Sequence, residues 1–201
     1  MSFRIEEKYR LNEKKVFFFK KWLDENNAQK LFPRRKITSI YFDNKKKQMY
    51  HESIQGLVPR YKLRLRYYND KESDVRFEKK INSAEGKFKT SVLNLNLKNY
   101  LKFGYHDKIY GTCKPILKIS YFREYYFIFG KRVTLDQEIL YQKILPSGID
   151  VKKEIKDNKI IVEFKDKLIS YDSNISKKIY FEKIRFSKYC RAVEKIFKEV
   201  N

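Results

Sequence analysis

The chain has 201 residues, enough for one sizeable core with about two thirds of its unfolded surface buried. Forty-seven Lys and Arg against 25 Asp and Glu leave a net charge of +22, a field that attracts polyanions and disfavours cationic partners. Sixteen Tyr and sixteen Phe exclude wholesale disorder and favour strands, while two distant cysteines, Cys113 and Cys190, exclude a disulfide framework and suit a reducing compartment.

In chain order, Asn12 is placed to cap a helix whose apolar positions Val16, Phe19, Trp22 and Leu23 share one stripe, and the pattern fails near Asn26 and Asn27. Lys36 to Phe42 reads as a strand, and Asp43 to Gly56 as a short polar helix or turn ending at glycine. Tyr61 to Tyr68 and Val75 to Ile81 alternate strongly around the turn Asn69 to Ser73, which predicts a hairpin. A short basic strand follows Gly86, and Leu93 to Gly104 suits a helix. Pro115 to Phe129 and Lys131 to Leu140 form a second long hairpin around Gly130, and Lys159 to Leu168 one more strand. A final helix starts after Ser187, which is placed as its N-cap, with Ala192, Val193, Ile196, Phe197 and Val200 as its apolar side. The longest apolar run, Tyr125 to Phe129, is far too short to cross a bilayer, and the charged N-terminus does not read as an export signal. No linker or composition break divides the chain, so a single domain over residues 1–201 is expected.

Side chains two apart on a strand share a face, so Arg4, Glu6 and Lys8 point together, opposite Phe3, Ile5 and Tyr9. Lys62, Arg64 and Arg66 lie opposite Leu63, Leu65 and Tyr67, and Arg76, Glu78 and Lys80 opposite Val75 and Phe77. Arg132, Thr134, Asp136 and Glu138 alternate with Val133, Leu135 and Ile139, and Glu163, Lys165 and Lys167 with Val162, Phe164 and Leu168. An ordinary sheet with one solvated face explains any single strand. Five strands carrying regular sets of Arg, Lys and Glu point instead to a basic tunnel filled by an anion. Arginine forks suit phosphate oxygens, lysines add point charges, and carboxylates can hold a bridging divalent ion. The expected fold is therefore α+β, an antiparallel β-barrel tunnel of about eight strands with flanking helices.

Seven blocks carry a family resemblance. They are Glu6 to Leu11 (EEKYRL), Ser39 to Asn44 (SIYFDN), Lys62 to Tyr68 (KLRLRYY), Phe77 to Lys80 (FEKK), Arg132 to Asp136 (RVTLD), Val162 to Lys165 (VEFK) and Phe186 to Tyr189 (FSKY). In this order they resemble the polyphosphate polymerase, or VTC, domain of the CYTH or triphosphate tunnel metalloenzyme superfamily. The resemblance implies ATP-dependent, metal-assisted transfer of the terminal phosphoryl group to a growing inorganic polyphosphate chain, with Mn2+ or Mg2+ as cofactor. It assigns Lys8, Arg64, Arg66, Lys80, Arg123 and Arg132 to catalysis, and Lys89, Lys165, Ser187 and Lys188 to phosphate binding. Glu163 becomes the metal ligand, with Glu6 beside it and Glu78, Asp136 and Glu138 as helpers. Lys87 competes with Lys89 because the strand is short, and spacing alone also allows Lys188 to be an exposed helix-start lysine. Where the superfamily often has a paired Glu-x-Glu-x-Lys, this chain has Arg4, Glu6 and Lys8, which favours the polymerase branch over the hydrolytic one.

ATP, polyphosphate and phosphate are the expected partners. A triphosphatase, another CYTH-type triphosphate enzyme, or a non-catalytic polyphosphate or nucleic-acid binding module are the alternatives. Nucleic acid is disfavoured because the aromatics alternate onto apolar strand faces. A cytoplasmic location is expected, with any membrane association supplied by a membrane-protein partner or by surface charge.

Overall fold

A computed structural model describes residues 4–93, 96–145, 148–167 and 181–197. Its strands are β1 (Arg4–Leu11), β2 (Gln29–Asp43), β3 (Arg60–Tyr68), β4 (Arg76–Ser83), β5 (Gly86–Leu93), β6 (Tyr105–Asp107), β7 (Gly111–Ile128), β8 (Lys131–Leu145), β9 (Gly148–Asp157), β10 (Ile160–Lys167) and β11 (Glu182–Lys183). The helices are α1 (Glu13–Glu25), α2 (Gln48–Gln55), α3 (Leu97–Phe103) and α4 (Lys188–Phe197). Phe3, Leu168 and Val200, read above into elements, lie outside the described residues.

Hydrogen-bonded neighbours follow the order β11-β1-β10-β8-β7-β2-β3-β4-β5, with β6 beside β7 and β9 beside β8. This is the expected α+β architecture, an antiparallel sheet with flanking helices. Among the described residues the path keeps two ends, β11 and β5, instead of closing into a barrel.

The chain packs as two compact units. The first comprises Met1–Arg35, Tyr121–Ile139 and Asp157–Phe186. Its core joins Tyr9, Leu11, Val133, Leu135, Val162 and Phe164 from three strands to Val16, Phe19 and Leu23 of α1. Asn12 caps α1 by accepting from the Lys15 N–H at 2.9 Å. The second comprises Lys36–Ser120, Leu140–Lys156 and Ser187–Asn201. Ile40, Phe42, Leu63, Leu65 and Phe77 form its core, with Met49 from α2 and Leu97 and Leu101 from α3. In each unit the apolar half of the alternation is buried, so the opposite strand face carries the charges.

Turn chemistry follows the sequence closely. Phe129 and Gly130 join β7 to β8 with φ of +49° and +72°, the left-handed pair that a two-residue hairpin requires. Gly56 ends α2 at φ +79°. The strands exceed the sequence reading in several places: β6 and β11 are additional short strands, β7 begins at Gly111 instead of Pro115 and β8 runs on to Leu145. β2 begins at Gln29 instead of Lys36, because residues 29–36 are mostly polar, none of them buried, and give no alternating pattern. β9 is absent from that reading because its run Asp150 to Glu154 is dominated by charge and shows no alternation.

Candidate functional site

The polar faces of the two units hold the expected residues in two groups. In the first unit, backbone register aligns Lys8 with Glu163 and Glu163 with Thr134, while Glu6 meets Lys165 and Lys165 meets Arg132. Arg123, projecting from β7, is buried and donates from Nε and Nη2 to both Asp136 oxygens at 2.5 and 2.7 Å. Its Nη2 also lies 3.8 Å from Glu163 Oε2. Burial opposes the charge on Arg123, but Asp136, with help from Glu163, pushes its pKa well above the usual value. The guanidinium is permanently cationic.

Lys165 Nζ sits 3.3 Å from Glu163 and 3.5 Å from Glu6, and burial lowers its pKa despite both carboxylates, with Arg123 and Arg132 adding to the shift. Lys8 Nζ donates to the Phe186 carbonyl at 2.8 Å. Arg132, by contrast, is exposed. Like charges directly opposite on paired strands repel, and the Glu163 and Glu6 carboxylates beside Lys165 offset the Arg132–Lys165 repulsion.

In the second unit, Tyr41, Arg64, Glu78 and Ser91 form one cross-strand row, and Ser39, Arg66 and Arg76 the next. Arg64 Nε donates to Glu78 Oε2 at 2.7 Å and Arg64 Nη1 to the Tyr41 hydroxyl at 3.0 Å. Lys89 Nζ reaches the other Glu78 oxygen at 3.0 Å, and Arg66 lies 3.8 Å from Oε2. Burial would raise the Glu78 carboxyl, yet Arg64, Arg66 and Lys89 hold it down to about 2. The same two arginines overcome burial at Tyr41 and bring its phenol to about 8.

A third row consists entirely of lysines: Lys62 is paired with Lys80, and Lys80 with Lys89. Lys62 donates to Ser187 Oγ at 2.9 Å, and Ser187 in turn accepts from the Cys190 N–H at 3.3 Å at the start of α4. Ser187 therefore caps the helix, as its position suggested, and meets the basic face. Lys188 begins α4 half-buried. Lys87 stands opposite Asn82 while Lys89 stands opposite Lys80, so both share this face and Lys89 is the one that joins the Glu78 cluster.

Several contributors escaped the sequence reading. Asp43 accepts from the Asn44, Met49 and Tyr50 amides at 2.8, 3.2 and 3.1 Å and from the Tyr189 hydroxyl, tying α2 and α4 to the end of β2. Tyr189 stacks on Tyr41 with ring centroids 5.2 Å apart. The alternation Ser39, Tyr41, Asp43 carried this signal, but three uncharged or singly charged side chains do not stand out as a basic face does. Of the suggested carboxylate helpers, Glu78 is enclosed by three cations, both Asp136 oxygens accept from Arg123, and Glu138 is exposed and pairs with Arg34.

Among the described residues no three His, Cys, Asp or Glu side chains converge as a metal cage. Glu163 and Glu6, both near Lys165, form the kind of one- or two-carboxylate set with which hard divalent ions are held when phosphate oxygens and water complete the shell. Cys113 is buried and its thiol is pushed up to about 12, which suits packing and not nucleophilic chemistry. No helix among the described residues is long and apolar enough to cross a membrane.

Comparison with known proteins places this arrangement. Solved structures share the fold at low identity. The PH1819 protein from Pyrococcus horikoshii OT3 has a TM-score of 0.58 and 17% identity, covering 96% of this chain and 99% of its own. A "putative adenylate cyclase" from Vibrio parahaemolyticus has a TM-score of 0.58 and 15% identity, with coverage of 96% and 98%. A "putative adenylyl cyclase" from Hippeastrum, described as having a dominant triphosphatase activity, has a TM-score of 0.50 and 12% identity, with coverage of 96% of each chain. No curated protein sequence matches. The VTC domain family matches residues 3–110 and 105–197, nearly the whole chain, and the protein therefore belongs to the VTC domain family.

Proposed function

We propose that the protein synthesises inorganic polyphosphate by transferring the terminal phosphoryl group of ATP to a phosphate chain. The observation that carries this reading is the row Lys62, Lys80 and Lys89, three like charges side by side next to Arg64 and Arg66. Such a row sets three ammonium groups in line, and a run of phosphates lying along it would meet one cation after another. Membership of the VTC domain family supports a phosphate-chain substrate over a nucleic acid.

In the second unit, Arg64, Arg66, Lys80 and Lys89 grip phosphate oxygens, with Ser187 and Lys188 beside them at the helix start. In the first unit, Lys8, Arg123 and Arg132 neutralise charge on phosphoryl oxygens, and Asp136 fixes the plane of the Arg123 fork. Glu163 and Glu6 would hold Mn2+ or Mg2+, which would supply positive charge against the phosphate oxygens. Lys165, within 3.5 Å of both carboxylates, offsets their mutual repulsion. Transfer of this kind proceeds by alignment and charge neutralisation and needs no covalent enzyme intermediate.

The same contacts would serve hydrolysis, the activity described for the Hippeastrum protein. Incubation with ATP and manganese, with and without a short polyphosphate primer, separates the two. Long chains that an exopolyphosphatase destroys are expected; release of free phosphate without chains would overturn the polymerase reading in favour of a triphosphatase. ATP, polyphosphate and phosphate are thus the proposed partners, together with a membrane-protein partner.

A further inference from the structure

Arg34 and Arg35 are neighbours in β2 with different surroundings. Arg34 pairs with Glu138 and lies 4.2 Å from the centre of the Phe122 ring. Arg35, among the described residues, is placed against aromatic rings alone, 4.4 Å from the Phe32 centroid and 5.8 Å from that of Tyr125. Phe32 meets Tyr125 edge to face at 5.5 Å. Tyr125 in turn lies 5.9 Å from the Arg123 guanidinium, and Tyr121 flanks Arg123 on its other side at 5.4 Å.

These side chains, all in the first unit, form a row in which cations and rings alternate. The row starts at Arg123, 8% exposed and already assigned to phosphoryl oxygens, passes through buried Tyr125 and half-buried Arg35, and ends at Phe32, 46% exposed. A phosphate track would be built from cations, as the Lys62, Lys80 and Lys89 row is. Aromatic rings contribute little to binding phosphate oxygens. They are the surfaces on which a purine stacks, and a guanidinium plane beside them offers a second stacking face as well as hydrogen-bond donors for ring nitrogens.

We infer that Phe32 and Arg35, supported by Tyr125, are a subsite for the base of the nucleoside triphosphate. The inference rests on the reading of ATP as phosphoryl donor. It gives the site a means of favouring a nucleotide over a bare triphosphate, with Arg123 at the phosphate end of the row and Phe32 at the base end.

The test is equilibrium binding in EDTA, where turnover does not intervene, of ATP and of inorganic tripolyphosphate to the wild type and to Phe32→Ala, Arg35→Ala and Arg35→Lys. Each substitution is expected to weaken ATP about tenfold and to change tripolyphosphate less than about twofold, the loss of one stacking face. Arg35→Lys keeps the charge and removes the plane, so it should behave like Arg35→Ala. Equal weakening of both ligands would make Arg35 a phosphate contact and overturn the inference. Unchanged affinity for both would reduce the row to packing and overturn it as well. A wild type that binds ATP with the expected variant pattern yet makes no polyphosphate overturns the polymerase reading and leaves the base subsite standing; a wild type that binds neither ligand overturns both.

Discussion

Glu78 is 2% exposed and accepts from Arg64 Nε at 2.7 Å on one oxygen while Lys89 reaches the other at 3.0 Å. It is the internal counterion of the basic face in the second unit. Glu78→Gln should therefore destabilise the protein by roughly 3 kcal/mol, because it leaves partly buried cations without their partner. Adding tripolyphosphate should raise the variant's melting temperature more than the wild type's, since an external anion replaces the lost carboxylate. The carboxyl is depressed from 4.5 to about 2, so its stabilisation is fully present above pH 4.5 and is lost as pH falls toward 2. Urea titrations across that interval should show the wild type converging on Glu78→Gln.

Lys80 stands between Lys62 and Lys89. Lys80→Gln removes the central charge of the lysine row and keeps a polar side chain of similar reach, so the protein without ligand should stay folded. Polyphosphate affinity should fall, and ATP turnover should fall by about 100-fold, the usual loss for one charged contact to a transferring group. Thermal melts with and without polyphosphate, alongside initial rates, check both halves.

Glu163 is buried, aligned with Lys8 across the β1–β10 ladder, and close to Lys165 and Arg123. Glu163→Gln preserves shape and removes the charge a divalent ion needs. Metal-dependent turnover is expected to drop about 100-fold or more, with an unchanged circular dichroism spectrum and with ATP binding retained in EDTA. Near-normal activity across a manganese titration would remove Glu163 from the metal site.

Tyr41 supplies a pH signature. Burial alone would raise its phenol, but Arg64 and Arg66 bring it from 10 to about 8. The folded state thus releases this proton before the unfolded state does, and its contribution to stability grows as pH rises from 8 to 10. Absorbance titration should reveal one tyrosine ionising near pH 8, absent in Tyr41→Phe. Bound polyphosphate should move that titration upward by neutralising the two arginines.

Much of this was legible in the linear chain. Period-two alternation in Lys62 to Tyr68, Arg76 to Ile81 and Val162 to Lys165 determined which residues share a charged face, because neighbouring side chains on a strand must point to opposite sides. Asn12 and Ser187 announced two helix starts through the hydroxyl or amide oxygen that a first-turn amide requires. Gly130 marked the long hairpin. These are local properties, carried by a few consecutive residues.

Only the tertiary structure decided which charges are enclosed by counterions and which stay exposed. Arg64 and Arg132 look alike in sequence, yet one is partly buried against Glu78 and the other is exposed on its strand. Arg34 and Arg35 are adjacent, yet one meets a carboxylate and the other two aromatic rings. Asp43 and Tyr189, separated by 146 positions, share a hydrogen bond that neither local pattern contains. The neutralisation of a charge depends on cross-strand register and on segments distant in the chain, and Coulomb interactions act through space while periodicity reports only the chain's own geometry.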